Sequence, residues 1–206
     1  EVTVFLALPA AIGLVILAHP IVRLFFQHGA FTAAQTAIVA PIVLCYAIGL
    51  APVCANQVLV RLFYATGDTR TPVRVAIVAM FVNLAANLTL VWSMREAGLA
   101  LATSIAGWLQ CAVLLVLAAR RLEMIAFRNL LGSVARTVAL SVGMGALTWG
   151  VLRLCLNRFG DGSTLSAILT VVAPLGAAVL FYFVLARLLG FTELSRLLSR
   201  RRQAAP

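Results

Sequence analysis

Long apolar runs, separated by short polar stretches, dominate the chain. Each run holds about 20 residues, which is the length an α-helix needs to cross the hydrocarbon core of a bilayer. The runs lie at residues 4–18 with 21–26 trailing, 34–55, 73–92, 97–119, 130–152 and 164–189. The pattern therefore predicts an all-α integral membrane protein with six transmembrane helices, of which the first is the least regular.

The composition supports a membrane protein rather than a soluble domain. Hydrophobic residues make up 63% of the 206 positions, only 11% are charged, and the mean hydropathy is +1.07. A soluble domain of this size needs far more polar residues to cover its surface. The chain also begins at Glu1 without a preceding Met, and we expect it to be a piece of a longer protein.

Arginine is the basic residue throughout, and its distribution predicts an orientation. All sixteen basic residues are Arg, and twelve of them fall in alternate loops and in the tail. The remaining four are Arg23, Arg95, Arg153 and Arg158. Because cytoplasmic loops are enriched in basic residues, both ends of the chain are expected in the cytoplasm. The arginines that orient the helices thereby explain the net charge of +10. No nucleic-acid partner is expected, since the sequence lacks a soluble domain with a basic surface that carries aromatic residues.

Two features of the spans concern how the helices pack. Four prolines inside the spans predict kinks, which are tolerated where a neighbour satisfies the freed carbonyl; they are Pro9, Pro41, Pro52 and Pro174. Small residues four apart predict close approach of helix backbones. These pairs are Ala102–Ala106, Thr103–Gly107, Ala139–Gly143 and Ser141–Gly145. The four kinks suit a moving transporter better than a passive anchor.

Polar side chains inside the third and fourth spans form the first candidate site. Asn83 and Asn87 lie four residues apart and so share a helix face, and the short connection to the fourth span brings Thr103 to a similar depth. The three neutral oxygens are suited to a monovalent cation such as sodium or to lumen water. The alternative, which we favour, is a hydrogen-bonded clamp between the two helices. Gln110 and Asn56–Gln57 are weaker versions of the same ambiguity.

Covalent chemistry is not expected in this chain. None of the six acidic residues lies inside a span, and no nucleophile–base set or phosphate-binding loop occurs. Cys45, Cys54, Cys111 and Cys155 show no CxxC spacing, so they are expected to be small packed side chains rather than metal ligands. His19 and His28 are expected to flank an outer turn. We therefore predict a non-enzymatic protein with no firm metal site and no cofactor, sodium being the one candidate ion.

The stretch "FYATGDTRTPVRVA" (63–76) is the second candidate site. Residues 58–64 are expected to continue the second helix at the inner interface. Gly67 is then expected to adopt a positive φ, Asp68 to form an Asx-type cap, and Pro72 to lie in the first turn of the third helix. The arginines around this turn can meet lipid phosphate at headgroup level or can act only as orientation anchors; they are Arg61, Arg70 and Arg74.

Three blocks of sequence are similar to a known family. They are "LALPAAIGLVILAHPIVRLFFQHGAFTAAQT" (6–36), "LFYATGDTRTPVRVA" (62–76) and "GLALATSIAGWLQ" (98–110). In this order and spacing, they resemble the MurJ/MviN family, the bacterial lipid II flippases of the multidrug/oligosaccharidyl-lipid/polysaccharide (MOP) exporter superfamily. The resemblance covers about residues 1–125 well, and the last two helices match in position and hydrophobicity.

The resemblance implies a fourteen-helix, MATE-like fold of two six-helix lobes plus two helices. Residues 1–120 would be the last four helices of the second lobe, 121–190 the two additional helices, which form a lipid-tail groove in the family, and 191–206 a basic cytoplasmic tail. Some relatives look as though they bind sodium at positions that match Asn83, Asn87 and Thr103. Where an acidic residue would be expected at Asn87, this sequence has an amide.

The implied function is translocation of lipid II, an undecaprenyl-pyrophosphate-linked precursor, from the inner to the outer leaflet by alternating access. The location would be the bacterial cytoplasmic membrane, and the partners would be lipid II, membrane lipids and the remaining N-terminal helices. This chain alone is not expected to be active. The alternatives are a flippase for another polyprenyl-linked oligosaccharide or a MOP-type exporter, both of which would be expected to lack the "GDTRTP" block, and a non-transporting scaffold of cell-wall synthesis.

Overall fold

The computed structural model describes residues 2–121, 124–159 and 164–188. Over these ranges, the chain forms six α-helices, each long and apolar enough to cross a membrane. They are α1 (Val2–Phe26), α2 (Ala33–Ala65), α3 (Arg70–Met94), α4 (Glu96–Arg121), α5 (Met124–Phe159) and α6 (Thr164–Leu188). The prediction of an all-α protein with six spans is confirmed. The predicted tail at 191–206 lies outside the described residues.

Helix ends differ from the predicted spans where helical hydrogen bonding continues past the apolar run. α1 is continuous through Pro20, so the expectation that His19 flanks an outer turn was wrong, whereas His28 does lie in the connection between α1 and α2. α5 has 36 residues and exceeds the predicted 130–152 at both ends. The expected continuation of α2 through residues 58–64 is confirmed.

The helices are arranged around α4 and α1. α4 packs against both α2 and α3, whereas α2 and α3 hardly touch each other. α1 packs on the other side of α2 and also contacts α5 and α6, which pair with each other. An apolar cluster joins α1 to the α5–α6 pair; its buried members are Phe5, Leu140, Met144, Ala178, Tyr182 and Ala186. α1 is therefore the main connection between the first four helices and the last two.

At two of the prolines inside helices, a neighbouring helix supplies a hydrogen-bond donor to the freed carbonyl. In an α-helix, a proline leaves the carbonyl four residues earlier without its N–H partner. Pro52 thus frees the Ile48 carbonyl, and Trp108 Nε1 on α4 donates to that oxygen at 3.1 Å. Likewise Pro9 frees the Phe5 carbonyl, and Tyr182 Oη on α6 donates to it at 2.6 Å. The expectation that neighbours satisfy such carbonyls is confirmed at both positions.

Small residues bring two pairs of helices close together. A Cβ built on Gly107 would lie 3.6 Å from Val53 on α2. On α5, a Cβ on Gly145 would approach Ile12 Cγ2 to 2.7 Å, which is too close without a shift. These contacts confirm the importance of Gly107 and Gly145. Ala139 and Gly143 are exposed on another face of α5, where a Cβ on Gly143 would lie 3.9 Å from Phe181 on α6.

A cleft lined by side-chain amides

The turn between α2 and α3 has the geometry that its sequence predicts. Gly67 has φ +78°, and the Asp68 N–H donates to the Phe63 carbonyl at 3.0 Å, which closes the end of α2. The Asp68 carboxylate accepts hydrogen bonds from the Thr71 N–H at 3.0 Å and from the Thr71 hydroxyl at 2.7 Å. Pro72 lies in the first turn of α3. Asp68 thus caps α3 and fixes the direction in which it leaves α2.

The three arginines of the second candidate site lie at this end of the bundle. Arg61 is in the last two turns of α2, and Arg70 and Arg74 are in the first two turns of α3. All three side chains are exposed. They are therefore accessible to anionic groups outside the helix bundle.

A cleft opens between α2 and α3, with α4 as its floor. Its volume is about 930 Å³. Along α3, it runs from Pro72 beside the turn to Asn87, a length of roughly 22 Å at 1.5 Å per residue. The polar side chains in its wall are Asn56, Gln57, Tyr64, Asn83, Asn87, Thr103 and Gln110. The amides that the sequence singles out therefore face one common space.

The first candidate site lies in the half of the cleft farther from the turn. Asn87 Nδ2 donates to Asn83 Oδ1 at 2.6 Å, and Asn83 Nδ2 reaches Thr103 Oγ1 at 3.5 Å, the outer limit of a hydrogen bond. The Thr103 hydroxyl donates to the Leu99 carbonyl at 3.0 Å. The predicted convergence of Asn83, Asn87 and Thr103 is present, and its geometry is that of a short chain of hydrogen bonds between α3 and α4.

The hydrogen bonds of this site bear on sodium, the candidate ion that the sequence suggests. A hard cation binds oxygen atoms, but the Asn83 oxygen already accepts a hydrogen bond from the Asn87 amide nitrogen. The site presents neutral oxygens, and the side chain at position 87 is an amide. Among the described residues, no three His, Cys, Asp or Glu side chains lie together.

Two carbonyl oxygens of these amides lack a partner. Asn56 is 8% exposed, and its Nδ2 donates to the Gly107 carbonyl at 3.1 Å. Its Oδ1, like the Oδ1 of Asn87, is buried with no hydrogen-bond partner in the described part of the chain. A buried acceptor without a hydrogen bond destabilises the fold by about 1–3 kcal/mol. Both oxygens are therefore expected to accept a hydrogen bond from a group outside the described residues.

A second pocket, which is apolar, lies where α1 meets α6. Its volume is about 330 Å³, and its lining includes Pro9, Gly13, Leu17, Met144 and Tyr182. The resemblance implied a groove formed by the last two helices. In the structure, α1 contributes much of the lining and α5 contributes Met144, so the pocket belongs to three helices.

Sequence reasoning missed the side chains that bond to main-chain carbonyls across α2 and α4. Ser104 Oγ donates to the Cys45 carbonyl at 2.6 Å, close to the place where Gly49 leaves room for the Ser104 side chain. With Trp108 and Asn56, it holds the floor of the cleft to one wall. A signal was present, because a proline in a span requires a replacement donor and Trp108 is such a donor.

The architecture defines a class of protein: a multi-pass, helical membrane protein with prolines inside its spans and an amide-lined cleft. The family model for "Lipid II flippase MurJ" matches residues 1–192. The chain belongs to this family of transporters. This assignment agrees with the family that the three sequence blocks indicated.

Individual relatives give the same result. Over 99% of its length, the chain is 34% identical to a probable lipid II flippase MurJ of Rhizobium tropici and covers 39% of that protein. It is 32% identical over 98% of its length to the corresponding protein of Bdellovibrio bacteriovorus, of which it covers 37%. The chain thus spans about two-fifths of the length of these relatives.

A solved structure supports the fold. The chain is similar to a lipid II flippase MurJ in an inward closed conformation, with a TM-score of 0.69 and 24% identity. The similarity covers 90% of this chain and 37% of that one. It confirms that the helices have the arrangement found in part of that structure.

Proposed function

We propose that the protein to which this chain belongs moves lipid II from the inner to the outer leaflet of the bacterial cytoplasmic membrane. The observation that carries the proposal is the match to the lipid II flippase MurJ family over residues 1–192. The mechanism is alternating access, in which two lobes rock about a cavity, and it requires no covalent step. Since the chain spans about two-fifths of its relatives, it is not active by itself.

Two helices of this chain contain prolines at positions where neighbouring helices satisfy the freed carbonyls, which is compatible with such motion. Pro9 and Pro52 interrupt α1 and α2, and donors from neighbouring helices keep the freed carbonyls satisfied. A helix of this kind can bend without exposing an unpaired polar group to lipid. We assign Asn83, Asn87 and Thr103 a clamping role between α3 and α4, without sodium.

The arginines at the α2–α3 turn are proposed to contact lipid phosphate on the cytoplasmic side. Arg61, Arg70 and Arg74 are exposed within one turn region, and guanidinium groups bind phosphate oxygens in pairs. The proposed orientation, with both ends of the chain in the cytoplasm, rests on the excess of arginine in alternate loops. The remaining N-terminal helices of the same protein complete the substrate cavity.

Complementation of a flippase-depleted bacterium tests the proposal. The full-length gene is expressed during depletion, and lysis is scored beside a gene that encodes only residues 1–206. We expect the full-length protein to prevent lysis and the shorter chain to fail. Lysis despite stable membrane insertion of the full-length protein would contradict the proposal and would favour a flippase for another polyprenyl-linked oligosaccharide.

A further inference from the structure

Pro52 interrupts α2, which is a helix of 33 residues. Because proline has no N–H, the helical hydrogen bond to the Ile48 carbonyl is missing, and a proline is one of the few features at which a helix bends sharply. We call residues 33–51 the first half of α2 and residues 53–65 its second half. At Pro52, the main-chain hydrogen bonds restrain the angle between these halves less than they do elsewhere in α2.

α4 forms hydrogen bonds with both halves of α2. Ser104 Oγ donates to the Cys45 carbonyl in the first half at 2.6 Å, and Asn56 Nδ2 in the second half donates to the Gly107 carbonyl at 3.1 Å. Residues 96–121 contain no proline, so the main-chain hydrogen bonds of α4 continue past the level at which those of α2 are interrupted. α4 therefore holds the two halves of α2 in one relative orientation.

A third bond between these helices lies at the proline itself. Trp108 Nε1 on α4 donates to the Ile48 carbonyl at 3.1 Å and replaces the N–H that Pro52 lacks. The carbonyls of the other two bonds keep the helical N–H four residues further on, so they stay satisfied without the contact to the neighbouring helix. The Trp108 side chain is also 49% exposed, whereas the other two donors are buried. Of the three bonds, the one made by Trp108 therefore decides whether α2 can bend without leaving a polar group unsatisfied.

We propose that Pro52 is a hinge in α2 and that Trp108 is the latch that holds it. In this conformation, the indole satisfies the Ile48 carbonyl and fixes the angle between the two halves. When the latch releases, the first half moves relative to α4 about the proline. The second half stays on α4 through Leu59 and Phe63, which belong to an apolar cluster shared by the two helices. Ile48 is 41% exposed, so water or another donor can reach its carbonyl once the indole has left.

Distances between spin labels in the full-length protein test the hinge. With the native cysteines replaced, labels are attached at Ile38 and Val58, which are exposed on the two halves of α2 and lie about 30 Å apart at 1.5 Å per residue. A matched pair at Leu99 and Val116, also exposed, reports on α4. Trp108→Phe keeps an aromatic ring and removes the N–H. We expect this change to broaden the distance distribution along α2 by several ångströms and to leave that along α4 unchanged.

Two further variants distinguish a hinge from a general loss of packing. Trp149→Phe, at an indole on α5 that is 53% exposed, should leave both distributions unchanged. Pro52→Ala restores the helical N–H to the Ile48 carbonyl, so in this background Trp108→Phe should no longer broaden the distances along α2. Unchanged distances along α2 in Trp108→Phe, or equal broadening with and without the proline, would overturn the proposal.

The inference rests on the proposed function only in treating the protein as a transporter that changes conformation. It adds the point at which α2 bends and the side chain that controls the bend. The distances do not depend on the transported lipid, so a flippase for a different substrate would still show the hinge. Failure to complement a flippase-depleted bacterium would therefore contradict the proposed function, whereas the distances along α2 decide the hinge.

Discussion

Tyr182 donates its hydroxyl to the main-chain oxygen of Phe5 at 2.6 Å, across 177 residues of sequence. The oxygen is the one that Pro9 deprives of its helical N–H. Their rings are also in contact, with centroids 5.0 Å apart. The carbonyl freed by Pro9 in α1 and the docking of α6 are thus one structural feature, in which a single phenol donates to that carbonyl and joins the two helices.

Replacing Tyr182 by Phe tests this relationship. The change keeps the ring and leaves the Phe5 carbonyl without its tyrosine donor, so the free energy of unfolding should fall by about 0.5–1.5 kcal/mol. Restoring the N–H with Pro9→Ala should make the loss smaller. The measurement is a double-mutant cycle on the full-length protein in detergent, with Tyr46→Phe, at an exposed tyrosine, as the control. A loss at Tyr182 that is the same with or without Pro9 would refute the coupling.

The contact between α1 and α5 predicts opposite outcomes for two nearby glycines. Gly145→Ala places a Cβ 2.7 Å from Ile12 Cγ2, and overpacking of this kind costs about 1–3 kcal/mol. Gly143→Ala meets its nearest atom at 3.9 Å and should be neutral or slightly stabilising. Thermal unfolding of the two variants measures the difference. Equal melting temperatures would show that α1 and α5 are less closely packed than described.

The arginines of the α2–α3 turn should retain anionic lipid. Replacing Arg61, Arg70 and Arg74 by Gln in one variant removes three cations from one exposed site. Near an anionic lipid surface, each cation contributes about 1 kcal/mol to the free energy of binding. Native mass spectrometry should then detect fewer bound anionic phospholipids. The matched control neutralises Arg95, between α3 and α4, together with Arg153 and Arg158, in the last two turns of α5. It removes the same total charge from two separate places. An equal loss in both triple variants would mean that only net charge matters.

The clamp of Asn83, Asn87 and Thr103 predicts indifference to sodium. The Asn83 side-chain oxygen already accepts a hydrogen bond from the Asn87 amide nitrogen. The melting temperature of the full-length protein should therefore be the same in sodium chloride and in potassium chloride at equal ionic strength. Asn87→Asp places a carboxylate among the neutral oxygens and should introduce a preference for sodium. A sodium-specific stabilisation of the unsubstituted protein would contradict the clamp.

Labelling of introduced cysteines tests the orientation. With the native cysteines replaced, single cysteines at Arg70 and Arg128 should react with a membrane-impermeant reagent from the cytoplasmic side only. A cysteine at Gly29, in the connection between α1 and α2, should react from the opposite side. Reaction of positions 70 and 128 from different sides would contradict the orientation that was inferred from the excess of arginine in alternate loops.

The sequence was sufficient for the number and the type of the helices. Apolar runs long enough for a bilayer have one dominant solution, the helix, and Gly67, Asp68 and Pro72 specify their turn by local chemistry. The site was partly predictable for the same reason, since Asn83 and Asn87 lie four apart on one helix and the tight α3–α4 connection places Thr103 beside them.

What the sequence could not provide was the choice of neighbours. Nothing local indicates that α2 packs on α4 rather than on α3, so the cleft and the inclusion of Asn56 in its wall were not foreseen. The same applies to Tyr182 and Phe5, whose contact depends on the docking of α6 on α1. The pairs Ala139–Gly143 and Ser141–Gly145 share one spacing, and only packing distinguishes the exposed pair from the one that meets α1.

The most direct test of the central claim is lipid II translocation by the purified full-length protein in proteoliposomes. Fluorescent lipid II is incorporated, and a membrane-impermeant quencher reports the rate at which labelled molecules exchange between the leaflets. We predict exchange well above that of protein-free vesicles, with no acceleration for a labelled phospholipid. Exchange no faster than in protein-free vesicles, from folded and inserted protein, would contradict the assignment of this chain to a working lipid II flippase.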